Sequence, residues 1–252
     1  MNTVSKKAQI GKNVIIGDYT VIKDDVIIGD NVEIGSNIII DNGARIGSNV
    51  KLHHGAVVST IPQDLKFKGE VTTLEIGDGT VVREYATLNR GTSYSNKTVI
   101  GKNCLIMAYV HVAHDCVLGD NVIMANSVNL GGHVQIGDWV VVGGMSGIHQ
   151  FTKIGKHTII ATNSRVVKDV PPYITAGNTP LKYEGLNLIG LRRRGFTNVR
   201  INKIDAAYST IYRSGLNISK AVEELKKEKN FTEEVKEIIN FIESSERGII
   251  QD

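Results

Sequence analysis

Residues 99–137 read Val-Ile-Gly-Lys-Asn-Cys-Leu-Ile-Met-Ala-Tyr-Val-His-Val-Ala-His-Asp-Cys-Val-Leu-Gly-Asp-Asn-Val-Ile-Met-Ala-Asn-Ser-Val-Asn-Leu-Gly-Gly-His-Val-Gln-Ile-Gly. Every sixth residue is a large aliphatic: Ile100, Ile106, Val112, Leu118, Met124, Leu130 and Ile136. Four places after most of them stands a smaller residue, as at Cys104, Cys116, Val122, Val128 and Val134. Gly101, Gly119, Gly131 and Gly137 follow the aliphatic directly. The frame extends both ways, from Ile10-Gly11 to Val166, without a change of phase. A strict hexapeptide rule fits a chain wound as a three-sided coil, with one short strand per side and three hexapeptides per turn. The large aliphatic points inward and stacks on its equivalent a turn away, neighbouring coils being about 4.8 Å apart. The glycine is expected where the chain bends, because it accepts backbone angles that other residues avoid. The fold class read from this stretch is a parallel β-helix.

Composition narrows the function. Lys plus Arg number 29 against 26 Asp plus Glu, a formal charge of +3 over 252 residues, which argues against a dedicated nucleic-acid binder. Hydrophobic residues at 41% and charged residues at 22% exclude disorder of the whole chain. Cys104 and Cys116, the only cysteines, fall at the small inward position and cannot build a disulfide framework or a zinc finger. No apolar run approaches the length of a membrane span, and Met1-Asn2-Thr3-Val4-Ser5-Lys6-Lys7 leads into no apolar signal core. The expectation is a cytoplasmic protein with no integral membrane segment.

Two stretches leave the rule without shifting its phase. Residues 59–75 put Asp64 and Glu70 at aliphatic positions, and residues 91–98 put Tyr94 there. Both read as loops ejected from the coil, and loops on a rigid scaffold are where function concentrates. The repeat fades after Val166, Pro171-Pro172 closes it, and residues 173–190 read as a connector. From about Thr197 the spacing turns helical, with Ile204, Ala207, Tyr208 and Ile211, then Val235, Ile238, Ile239 and Ile242. Gly215 and Gly248 suit helix ends. The expected division is a β-helix over 1–182 and an α-helical C-terminal domain over 183–252, with Lys226-Lys227-Glu228-Lys229 on a solvated face.

Residues one turn apart lie above one another. His114 therefore stacks over Gly132 and Gly132 over Gln150, with His133 and His149 beside them. One turn the other way is Asn96, inside the second loop, so the loop and the polar cluster meet at one edge. A neutral imidazole is a general base near neutral pH. Asp115 orients it if a corner brings the two neighbours to the same side. A glycine N–H can approach a substrate closely and stabilise an oxyanion. Base and amide suffice for direct acyl transfer from a thioester to a hydroxyl or amine, with no covalent nucleophile. Three histidines, here His111, His114 and His133, could instead hold zinc, as in the γ-class carbonic anhydrases built on this scaffold. His53, His54 and His157 read as surface residues.

Residues 108–116 (Ala-Tyr-Val-His-Val-Ala-His-Asp-Cys) resemble the signature of the UDP-N-acetylglucosamine acyltransferase family. So do Pro62-Gln63-Asp64-Leu65-Lys66, Asn89-Arg90-Gly91-Thr92, Gly131-Gly132-His133, His149-Gln150-Phe151 and Arg192-Arg193-Arg194-Gly195-Phe196. The resemblance runs from the first coil to the last helix and implies a left-handed parallel β-helix in a homotrimer. It implies transfer of a 3-hydroxyacyl chain from acyl carrier protein to the 3-hydroxyl of UDP-N-acetylglucosamine, in the first step of lipid A synthesis, with no cofactor and no metal. By the same resemblance His114 is the general base, Asp115 supports it and the Gly132 N–H holds the oxyanion. Gln63, Asp64 and Lys66 contact the glucosamine from a neighbouring subunit. His111, His133, His149 and Gln150 meet sugar and diphosphate, and Asn187, Arg193 and Arg194 the nucleotide. Basic residues of the helical domain suit an acidic acyl carrier protein. Two departures stand out. Ile189 replaces a frequent Glu, which affects a ribose or base contact. Thr162 stands where several relatives have the Gly that lets a long acyl chain pass, which implies a shorter donor. An enzyme acylating a 3-amino sugar nucleotide would use the same base and amide. A CoA-dependent sugar N-acetyltransferase is disfavoured by the helical C-terminus, and a non-catalytic coil would not depend on His114.

Overall fold

The computed structural model describes residues 1–227 and 231–252. Short strands stack into three sheets that form the sides of a prism. Sheet 1 runs from Thr3–Val4 to Arg165–Val166, sheet 2 from Gln9–Ile10 to Lys153–Ile154, and sheet 3 begins at Ile15–Ile16. Leu105–Ile106 pairs with Ile123–Met124, then Val141–Val142, then Ile159–Ile160, each three hexapeptides on and parallel. The inward members Ile106, Met124, Val142 and Ile160 are fully buried, as are Cys104 and Cys116, so one continuous core fills the prism. Each aliphatic side chain withdrawn from water in this way stabilises the coil by about 1.5–3 kcal/mol before entropy is counted.

Both loops leave at the edge where sheet 1 passes to sheet 2. Ile46 pairs with Ile76, five hexapeptides on, and Ile76 with Ile100, four on. The excess over one turn forms the loops 61–72 and 90–96. Each excess is a whole number of hexapeptides, which is why the phase survives them in the sequence.

The bends correct one expectation. The glycines after the aliphatic are not where the backbone turns left-handed. That residue comes two places later and is seldom glycine, as at Asn13, Asn31, Tyr85, Tyr109, Asp115, His133 and Phe151, all with φ between 56 and 62°. Asparagine tolerates this region best, and the other side chains are held there by the coil. Glycine is needed at its own position for another reason. A Cβ on Gly17 or Gly77 would stand 2.6 Å from the backbone of the adjacent coil.

The end of the coil is also corrected. Pro171-Pro172 does not close it: Ile174–Gly177 pairs in parallel with Ile159–Ile160 and then antiparallel with Lys182–Leu186. This last turn, from Ile159 to Thr175, falls short of three full hexapeptides, so a count by sixes loses it. Helix α1 (Leu188–Arg193) begins inside the expected connector and runs past its end, followed by α2 (Asn198–Arg213), α3 (Ile218–Lys226) and α4 (Glu233–Glu243). Gly215 follows α2 with φ 77°, while Gly248 ends no helix. The apolar stripe of α2 is buried, and Tyr208 Oη donates to Pro172 O at 2.6 Å, fastening the helices to the coil. Lys226 and Lys227 pair with Glu243 and Glu224 on the surface, whereas Glu228 and Lys229 lie outside the described residues. His157 is not a surface residue: it is buried, stacked on Tyr173 with Phe196 at its edge.

Candidate active site

The edge between sheets 1 and 2 collects the polar residues. His114 and Asp115 turn from His111–Val112 to Val117–Leu118, Gly132 and His133 turn one coil below, and Gln150 and Phe151 one below that. Two bonds fix the stacking, His133 N–H to His114 O and Phe151 N–H to Gly132 O, both 3.0 Å. The left-handed corner at Asp115 brings its carboxylate to the same side as the preceding imidazole. His114 Nδ1 lies 2.8 Å from Asp115 Oδ2.

Asp115 has no exposed side-chain surface. Burial alone would raise its pKa, but hydrogen bonds from Ser95, Thr92 and His114 outweigh it and bring the carboxyl down to about 2. An ionised carboxylate only accepts, so the proton on this bond belongs to the imidazole and Nε2 is left with the lone pair. Gly132 lies against that ring: a Cβ there would stand 2.6 Å from His114 Cε1 and 2.8 Å from Nε2. Among the described residues no acceptor takes the Gly132 N–H, while the flanking amides of Gly131 and His133 are bonded.

His133 stacks on Phe151, ring centroids 4.2 Å apart, and Tyr94 of the second loop meets it edge-on at 4.4 Å. Burial lowers its pKa, opposed by the carboxylates of Asp115 and Asp64. His111 is half-buried, with Nδ1 2.8 Å from Thr87 Oγ1, and burial together with the nearby His114 lowers its pKa. His149 is exposed, its Nδ1 donating to Gln150 O, and the Gln150 side chain is exposed beside it. A cavity of about 590 Å³ opens here between Tyr94, His133, Phe151, Lys153 and Arg247.

The first loop lies at this same edge within one chain. Asp64 acts electrostatically on His133, Thr72 Oγ1 donates to Gly91 O, and Arg90 lies over Phe67. Gln63 and Lys66 are exposed on that loop. Other expected residues stand elsewhere. Arg193 and Arg194 belong to the edge between sheets 2 and 3, where Arg194 lies over Trp139 at 4.8 Å. Asn187 is buried and fully engaged, accepting from Gly190 N and donating to His157 O, so its amide caps α1. Thr162 is exposed on the edge between sheets 3 and 1. As for zinc, ligand atoms of His114, Asp115 and His133 lie within 4.8 Å of one another, but Asp115 is occupied by five donors and His111 is not among them. The repeat does not single out Thr92, Ser95 and Thr98, which surround Asp115; their one signal is the alignment of Asn96 with His114.

Known proteins resemble the chain over nearly its whole length. The model described as Udp N-acetylglucosamine O-acyltransferase, domain 2, matches residues 169–250, and the bacterial transferase hexapeptide model matches 7–37 and 97–132. The acyl-[acyl-carrier-protein]--UDP-N-acetylglucosamine O-acyltransferase of Chlorobaculum parvum is 52% identical over 97% of this chain and 93% of its own. That of Herminiimonas arsenicoxydans is 42% identical over 98% and 97%. The solved UDP-N-acetylglucosamine acyltransferase of Bacteroides fragilis superposes with TM-score 0.97 at 45% identity, over 99% of this chain and 98% of that one. The coil shares the left-handed sense of these structures. The chain thus belongs to the acyl-[acyl-carrier-protein]--UDP-N-acetylglucosamine O-acyltransferase family.

Proposed function

We propose that the protein transfers a 3-hydroxyacyl group from acyl carrier protein to the 3-hydroxyl of UDP-N-acetylglucosamine, as a cytoplasmic homotrimer acting in the first step of lipid A synthesis. The observation that carries this reading is the His114 imidazole, held through Nδ1 by Asp115 and resting against Gly132. Nε2 takes the proton of the sugar hydroxyl, whose oxygen attacks the thioester carbonyl carbon. The electron pair moves to the carbonyl oxygen, and the Gly132 N–H holds that oxyanion. Collapse re-forms the carbonyl and breaks the C–S bond, and the leaving thiolate takes the proton from the imidazolium. The steps balance without a cofactor or a metal ion. They also need no enzyme nucleophile: Cys104 and Cys116 are buried, and burial raises both thiol pKa values.

In this reading Gln63, Asp64 and Lys66 take the glucosamine, and His111, His133, His149 and Gln150 line the path of sugar and diphosphate. Arg193 and Arg194 meet the nucleotide end, where a planar guanidinium suits phosphate oxygens. Since one subunit keeps them on a different edge from His114, threefold packing would supply them across an interface, with Asn187 holding the turn that bears them. The coil over 1–182 carries the chemistry, and the helical unit over 183–252 presents basic residues to the acidic carrier protein. No described helix is long and apolar enough to cross a membrane. Sheet 1 separates the His114 edge from the Thr162 edge, and at Gly147 nothing among the described residues lies within 4 Å of where a Cβ would stand. An acyl chain crossing there ends at Thr162.

The test is the purified protein with a panel of acyl carrier protein thioesters, offered UDP-N-acetylglucosamine or its 3-amino analogue. Ester formation that vanishes in His114→Ala supports the reading; turnover of the 3-amino sugar alone, or full activity in His114→Ala, overturns it. Thr162→Gly should shift the preference to longer chains, and an unchanged preference removes Thr162 from the acyl groove.

A further inference from the structure

We propose that Thr92 and Ser95, on the ejected loop 90–96, are positioning residues for His114: they clamp the Asp115 carboxylate in the orientation from which it holds the imidazole. The inference rests on His114 being the general base. The two carboxylate oxygens are used differently. Oδ1 accepts from the loop alone, from Thr92 N–H at 3.0 Å, Ser95 N–H at 3.2 Å and Ser95 Oγ at 2.5 Å. Oδ2 accepts from Thr92 Oγ1 at 2.6 Å and from His114 Nδ1 at 2.8 Å. By occupying one oxygen completely, the loop turns the other toward the imidazole.

The hydroxyl protons have little choice. Ser95 Oγ has one proton and two acceptors in reach, Asp115 Oδ1 and Lys97 O at 2.8 Å. The buried anion is the stronger of the two. Thr92 Oγ1 accepts from Tyr94 N–H at 3.2 Å, which directs its own proton to the carboxylate. The backbone under Asp115 is fixed as well, its N–H donating to Thr98 Oγ1 at 2.8 Å. Without the loop hydroxyls, Asp115 would remain buried with fewer partners and freedom to rotate, and the imidazole would lose its fixed tautomer. The loop therefore acts through Asp115, without touching the reacting atoms.

Thr92→Val and Ser95→Ala, alone and together, test this in the full chain. Loss of one charge-assisted hydrogen bond should lower kcat about tenfold in each single variant and about 100-fold in the pair. KM for the sugar nucleotide should stay close to wild type, and Thr92→Ser should restore kcat. Nitrogen NMR of the imidazoles supplies a reading independent of turnover. The wild type should show His114 as the Nδ1–H tautomer, and the double variant a mixture. If the wild type fails to acylate any UDP-sugar, the reading of the reaction fails while the NMR still tests the clamp. Should the double variant not fold, Ser95→Ala, which keeps both backbone donors, carries the test alone. Unchanged kcat together with an unchanged His114 tautomer in a folded variant overturns the proposal.

Discussion

His133 and His157 occupy equivalent corners on different edges of the prism. Both have left-handed backbone, φ 62° and 59°. Each lies nearly flat on an aromatic ring, His133 on Phe151 at 4.2 Å and His157 on Tyr173 at 5.7 Å. Both bury an Nδ1 that has no hydrogen-bond partner among the described residues, and burial lowers both pKa values. The charges around them differ. Asp115 and Asp64 oppose the effect of burial at His133, whereas Arg194, Lys156 and Arg200 add to it at His157 and take it down to about 4. One backbone corner thus serves two purposes, and the neighbouring charges decide between them. Beside carboxylates the ring joins a proton-handling cluster; among cations it is a neutral packing element.

Removing the base should have the largest effect. His114→Ala is expected to lower kcat by about 10²–10⁴-fold with the coil intact by circular dichroism. Retained turnover would erase the distinction between the two edges. Next comes Gly132→Ala, whose Cβ would collide with the imidazole 2.6 Å away. Displacing a reacting group by about 1 Å costs on the order of 100-fold, read as a fall in kcat. Phe151→Leu takes away the ring under His133 but leaves the base, and should change kcat/KM by about threefold to tenfold. The smallest effect on activity is expected at the other corner, where His157→Gln should leave neutral-pH turnover unchanged. Its signature is in stability. The folded pKa of about 4 lies below the ordinary 6.5, so the unfolded chain takes up the proton first as pH falls. His157 therefore contributes stability above pH 6.5 that is lost progressively toward pH 4, and the variant's melting temperature should decline less over that range.

The prism is legible in the sequence because its inward positions obey a period whose phase holds from Ile10 to Val166, through both ejected loops. The same arithmetic places His114, Gly132 and Gln150 on one edge, since stacking is a property of the backbone frame. It misplaces the bends, because glycine marks both turns and tight approaches, and only coordinates distinguish them. It misses the last turn, where a shortened circuit breaks the count. It puts His157 on the surface because the cover, Tyr173 and Phe196, comes from beyond the repeat. Thr92 and Ser95 stay hidden for a similar reason: the frame aligns Asn96 with His114 but does not give the path by which the ejected residues before it fold back onto Asp115.

The loops that interrupt the coil lengthen their turns by two hexapeptides and by one. Cutting out residues 61–72 or 91–96 would therefore return each turn to its regular length with every downstream aliphatic still facing inward. The extrusions behave as detachable cassettes on a self-sufficient mast. Substrate handling can be shortened, lengthened or exchanged there while the architecture below keeps its own count.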